Sequence, residues 1–282
     1  MEDGERSGAA GPAAAGGPAA DAAAADGAAT AGPVARSLRI AASADLHARD
    51  SRREALLSAF AGLGPEIDLV LLAGDLTSHG TPEEAAIVAE ACAQVEAPVL
   101  AVLGNHDWHQ DCADELRTAL AEGGAELLDR DWTIKCLRGI DVGVAGTKGF
   151  VGGFAGSHLP DFGEPLLRQV YAETTAEVRA LDEGLRAIEN CPLRIALMHY
   201  SPAAETLEGE PPGIYVFLGS DRLATPIVEH QPDVVLHGHA HAGTFRGAIE
   251  DVPVFNVSVE VTGKPFWVFE LKPATATASP IH

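Results

Sequence analysis

Short apolar runs recur along this chain, and two of them, Asp68-Leu69-Val70-Leu71-Leu72-Ala73 and Pro98-Val99-Leu100-Ala101-Val102-Leu103, are apolar at nearly every position. A strand turns successive side chains to opposite faces, so a run of this kind must be covered on both sides. Arg194-Ile195-Ala196-Leu197-Met198 and Asp233-Val234-Val235-Leu236 repeat the pattern, and Leu38-Arg39-Ile40-Ala41-Ala42-Ser43 reads as a first strand. Residues 52–62 and 81–95 have helical spacing between the early runs. Thr81-Pro82-Glu83-Glu84 makes a strong helix start: a threonine cap, proline in the first turn, then acids at the positive end of the helix dipole. This β-α-β-α-β order predicts an α/β fold built on a parallel sheet.

The middle of the chain changes character. Segments 125–128, 132–137 and 140–145 read as short antiparallel strands, 164–190 as a long amphipathic helix, and 244–271 as an antiparallel meander. Gly146 to Gly163 is glycine-rich. Phe150, Phe154, His158 and Phe162 in it suggest a lid, or merely packing. Residues 1–36 are mostly Ala, Gly, Pro and Asp without aromatics, and so are expected to form a disordered tail. Residues 273–282 read as a second tail, which leaves one domain over 37–272.

Composition restricts the partners. The formal net charge is -22, which repels polyanions and disfavours long nucleic acid as a substrate. The four cysteines form no C-x-x-C pair, and no run of about 20 apolar residues suggests a membrane span. The acidic start, Met1-Glu2-Asp3, does not look like a secretory signal, so the expected location is cytoplasmic.

The chemistry-bearing residues stand just after the strands: Asp45-Leu46-His47, Gly74-Asp75, Gly104-Asn105-His106-Asp107, His199 and His237-Gly238-His239-Ala240-His241. In parallel α/β sheets the ligand crevice lies beyond the carboxyl ends of the strands, so these groups should converge. Asp, Asn and His without thiolate suit Mn, Fe, Zn or Co. Asp45 and His47, like His239 and His241, are two residues apart; in extended backbone each pair would project to one side. Trp108 and His109 are placed where an aromatic ring could stack on a base, or simply pack. His237 reads as structural, and His79 and His230 as without function.

This series of blocks resembles the calcineurin-like metallophosphoesterase superfamily over about 38–260. The resemblance implies a four-layer α/β/β/α sandwich with two mixed sheets and a dinuclear metal site at the strand ends. It implies that Asp45, His47, Asp75 and His241 hold one divalent ion, that Asp75, Asn105, His199 and His239 hold the other, and that Asp75 bridges. His106 would sit over the substrate phosphate, with Asp107 either orienting it or capping the sheet end. The implied activity is hydrolysis of a phosphate ester, a hydroxide between the ions serving as in-line nucleophile. Protein phosphatases of the superfamily carry an acid and an arginine where this chain has Ser78 and His79. The pattern is closer to small bacterial phosphodiesterase-like members. Two other readings remain: a metal-dependent nuclease on the same fold, and a non-catalytic scaffold that kept it.

Overall fold

Period-two alternation within the apolar runs decides how the layers stack. The computed structural model describes residues 37–273; the expected tails, Pro273 apart, lie outside them. The first sheet joins β1 (Leu38–Ser43), β2 (Leu69–Ala73), β3 (Val99–Val102) and β4 (Ala125–Leu127) in parallel, with β13 (Trp267–Leu271) antiparallel along the outer edge of β1. The second sheet has a parallel centre of β6 (Ile140–Thr147), β9 (Leu193–Met198), β10 (Val234–His237) and β12 (Val252–Asn256). Its edges are antiparallel: β5 (Asp131–Leu137) on β6 and β11 (Arg246–Ile249) on β12.

Alternate residues of each strand face different cores. Ile40, Leu69, Leu71 and Leu100 of the first sheet pack against Val144, Ile195, Leu197 and Leu236 of the second. The intervening Ala41, Val70, Leu72 and Ala101 face outward. They meet Phe60, Val88 and Leu116 of α1 (Arg53–Ala61), α2 (Pro82–Cys92) and α3 (Ala113–Glu122). On the far side Ala196, Met198 and Val235 meet Leu181, Leu185 and Ile227 of α4 (Pro165–Ala187) and α6 (Ala224–His230). The result is four layers, α/β/β/α. The α2 cap is built as its sequence suggests, with Glu84 N donating to Thr81 Oγ1 at 3.3 Å.

Two expectations are corrected. The 125–128 segment is not antiparallel: β4 follows α3 and joins β3 in parallel, as a crossover connection requires. Nor is 244–271 a meander, since β12 pairs in parallel with β10 and the chain then leaves for the other sheet as β13. The glycine-rich stretch carries the small hairpin β7 (Gly153–Phe154) and β8 (Ser157–His158) and is tied down rather than free. Gly152 N and Gly153 N donate to the carbonyls of Val216 and Gly219, and Phe154 is buried against Leu218 and Ala240. Phe162 alone of its aromatics stands mostly in solvent.

One buried carboxylate fixes the end of β6. Glu177 of α4, its side chain 1% exposed, accepts from Thr147 Oγ1, from Gly149 N at 3.0 Å and from Arg130 Nη2 at 2.8 Å. The carbonyl of Lys148 between them accepts from both His199 N and Tyr200 N. A residue on an outer helix thus sets the backbone at a chemistry-bearing strand end. Removing it strands buried donors and a half-buried cation. Glu177→Ala should cost about 3–5 kcal/mol, read from urea unfolding; a loss below about 1 kcal/mol contradicts this reading.

Candidate metal centre

The five strand-end blocks meet on one edge of the sandwich, between the two sheets. Asp45, His47, Asp75 and His241 offer ligand atoms within 4.8 Å of one another, and so do Asp75, His199 and His239. Asn105 joins the second group, its Oδ1 3.0 Å from His199 Nε2. All seven residues expected to bind metal are therefore brought together, with Asp75 common to both groups.

The backbone reaches this arrangement through strain, not through the extended geometry expected of the Asp45/His47 and His239/His241 pairs. Asp45 (φ 60), His47 (φ 45), Asp75 (φ 51) and His239 (φ 71) are all left-handed. That conformation disfavours residues with a Cβ and collects at functional sites. The strained loops are laced together, Asp45 N donating to Gly74 O and His47 N to Asp75 O, both at 3.0 Å. Two glycines are required by close approach. A Cβ at Gly104 would lie 2.1 Å from Asp75 Oδ1, and one at Gly74 (φ 86) would lie 2.5 Å from His199 Nδ1.

Asp75 divides its two oxygens between the groups. Oδ1 accepts from His106 N at 2.8 Å and lies 3.3 Å from His199 Nε2. Oδ2 lies 4.0 Å from His47 Nε2 and 3.9 Å from His106 Nε2, and it is buried with no hydrogen-bond partner. A buried, unpaired carboxylate oxygen is costly unless a cation meets it. Burial opposes ionisation of Asp75, but the charge of His199 and its hydrogen bonds outweigh this and hold the acid well below the usual carboxylate range. Asp45 behaves alike: burial is overcome by the hydrogen bond from His241 Nε2 at 3.0 Å.

Backbone carbonyls set the imidazole tautomers. His199 Nδ1 donates to Ala73 O at 2.9 Å, which turns Nε2 toward Asn105 and Asp75. His239 Nε2 donates to Phe217 O at 3.1 Å and leaves Nδ1 as the ring acceptor. Burial and the nearby His199 push His239 down to about 3, so it is neutral. His199 goes the other way. Burial lowers it, but Asp75 and Asp45 raise it further, to about 9. The Tyr200 ring braces His239, their centroids 4.4 Å apart.

His106 stands over this floor, partly exposed, its ring 4.6 Å from that of His47. Its Nδ1 donates to Ser78 O at 2.8 Å, so a main-chain carbonyl and not a side-chain acid holds the ring. Asp107 does not orient it, and the alternative of a cap describes Asp107 better. Its buried carboxylate accepts from Gly104 N, Leu76 N, Thr77 N and Thr77 Oγ1 and so clamps the second and third blocks together. Burial and the charge of Asp75 push Asp107 up to about 6, and four converging donors favour the anion at neutral pH. The carbonyls of Ala73, Ser78 and Phe217 escaped the sequence reading, because a carbonyl carries no side-chain signature. His237 is fully buried on Thr206, and burial holds it down at about 4. His79 and His230 pair with Glu84 and Asp182.

The model for calcineurin-like phosphoesterases matches residues 38–243, most of the chain. The chain belongs to the calcineurin-like phosphoesterase family. Members of this metallophosphoesterase family are hydrolases that typically carry a dinuclear metal centre, and the chain has Asp/His groups able to hold metal. No protein of curated function matches the sequence. Among solved structures, the phosphopantetheinyl hydrolase PptH from Mycobacterium tuberculosis is 16% identical with TM-score 0.60, covering 88% of this chain and 100% of its own. The protein TT1561 of Thermus thermophilus is 18% identical with TM-score 0.52, covering 83% and 99%. A putative 5'-nucleotidase from Staphylococcus aureus is 12% identical with TM-score 0.54, covering 88% of this chain and 56% of that one. At these identities the likeness shows the shared fold.

A proton on His199 competes with any cation between it and Asp75. Raised to about 9, His199 carries that proton at neutral pH and gives it up as the pH climbs. Manganese affinity should therefore rise from pH 6 toward pH 9. At pH 7, calorimetry in buffers of different ionisation enthalpy should detect a proton released on binding. Affinity flat across that range contradicts the assignment.

Proposed function

We propose that this phosphoesterase-family chain hydrolyses a small phosphate ester, a phosphodiester by class, at a centre of two divalent ions. The observation that carries the reading is Asp75, a buried carboxylate shared by two ligand groups with one oxygen left unpaired. The donor set fits such ions: carboxylate and amide oxygens with imidazole nitrogens held in fixed tautomers. Asp45, His47, Asp75 and His241 would hold one ion; Asp75, Asn105, His199 and His239 the other. When bound, such a pair supplies an activated water and a Lewis acid for the phosphoryl oxygens.

The remaining chemistry belongs to side chains of the protein. Two carboxylates, Asp45 and Asp75, offset only half of the charge of two divalent ions, so the floor attracts an anionic ester. His106 gives its Nδ1 proton to Ser78 O, and any further proton must sit on Nε2, the nitrogen that faces the floor. From there it bonds the phosphoryl group or protonates the leaving oxygen. The clamp at Asp107 keeps Asn105 and His106 in register with Asp75. The net charge of -22 counts against a nuclease, since a polyanion would be repelled everywhere but here.

The test uses the manganese-loaded protein with bis-p-nitrophenyl phosphate and p-nitrophenyl phosphate. Hydrolysis should stop on chelation and return with metal. His106→Ala should lower kcat by roughly 10²–10⁴-fold with little change in KM, as for loss of a general acid. Asp75→Ala should abolish turnover. Equal rates for wild type and Asp75→Ala would falsify the proposal.

A further inference from the structure

Behind the loop that carries Asp45 and His47 lies an apolar cleft that the chemistry above does not use. The cleft holds about 290 Å³ between α1 and the turn that begins with α7 (Val259–Thr262). Leu46, Ala55, Leu56, Val259 and Phe266 form its apolar lining. Three observations place it close to the centre. Leu46 stands in the chain between Asp45 and His47, two of the candidate ligands. Val259 N donates to Ala44 O at 3.2 Å, which holds the far wall against the same loop. Glu260, on the rim, lies near enough to His241 for its charge to be felt there.

The rim also carries an unused cation. Arg52 lines the cleft and is exposed. Its neighbour Arg53 is paired with Glu90, but among the described residues Arg52 forms no ion pair. Glu260, the only acid in the lining, is engaged by Ser258 Oγ at 2.9 Å. In a chain of net charge -22, a free guanidinium one short loop after His47 is suited to an anion.

We propose that this cleft is a subsite for an apolar substituent of the substrate, and that the substrate is an amphiphilic phosphate ester of an aliphatic or aryl alcohol. The inference rests on the phosphoesterase reading and narrows its substrate class. The occupant is apolar because the lining offers almost no hydrogen-bond partners, and a polar group would lose those it had in water. Its size is bounded by the cleft volume of about 290 Å³, room for a short alkyl chain or a single aromatic ring. Arg52 stands at the cleft rim, where it can bond a remaining phosphate oxygen.

The experiment titrates manganese-loaded protein with methyl-, butyl- and hexylphosphonate, which cannot be hydrolysed. Affinity should tighten by roughly two- to fourfold per methylene from methyl to butyl. Ala55 is exposed on α1, so Ala55→Trp fills the cleft at little risk to the fold, and it should remove the dependence on chain length. Ala55→Ser should keep it. Equal affinity for all three phosphonates, or chain-length dependence that survives Ala55→Trp, overturns the subsite. If methylphosphonate binds and the longer ones bind no better, the subsite alone is wrong. If none of the three binds, phosphate recognition at the centre fails and the subsite falls with it.

Discussion

At the carboxyl end of β2 the Asp75 carboxylate is 1% exposed, with one oxygen beside His199 and the other facing His47 and His106 without a hydrogen bond. Burying such a charge costs several kcal/mol unless cations surround it. Much of the neighbouring structure answers that demand. His199 is raised to about 9 by Asp75 and Asp45, and the amide of His106 turns toward Oδ1. The residual positive charge needed at Oδ2 is what divalent ions would supply. One carboxylate thus links the folding problem to the chemical one, because a group that is costly to bury is also the one shared by both candidate ligand groups.

The sandwich makes that cost bearable. Two sheets pack apolar faces against each other, and helices cover the outer faces, so the strand ends sit on a stiff base. Rigidity lets the loops hold four candidate ligand residues in left-handed backbone, a conformation worth of order 1–3 kcal/mol of strain at each position. Asp107 and Glu177 brace this arrangement from behind. The first clamps the second block to the third, and the second holds the turn that receives the amides of His199 and Tyr200.

Much of this was legible in the sequence, for a physical reason. A strand buried on both faces needs an apolar run, and a ligand at its end needs a polar residue in the next one or two positions, so both signals are local. That is why residues as distant as Asp45 and His241 could be read as neighbours. What escaped was non-local or lay in the backbone. Which strand β4 or β13 joins depends on packing across the sheet and not on their own residues. Extended geometry at Asp45 and His47 was the natural assumption, and the loops overrode it through bonds to Gly74 and Asp75. Asp107 follows His106 in the chain, yet its carboxylate turns away to four donors on two loops. Adjacency in sequence was a poor guide to partnership there.

In the arrangement proposed, seven side chains enclose two cations which share Asp75. Anomalous diffraction at the manganese edge, from crystals grown with manganese, addresses it most directly. Two peaks should stand about 3.5–4 Å apart, one on each side of the Asp75 carboxylate. A single peak that leaves either ligand group bare, or peaks only elsewhere on the molecule, would contradict it.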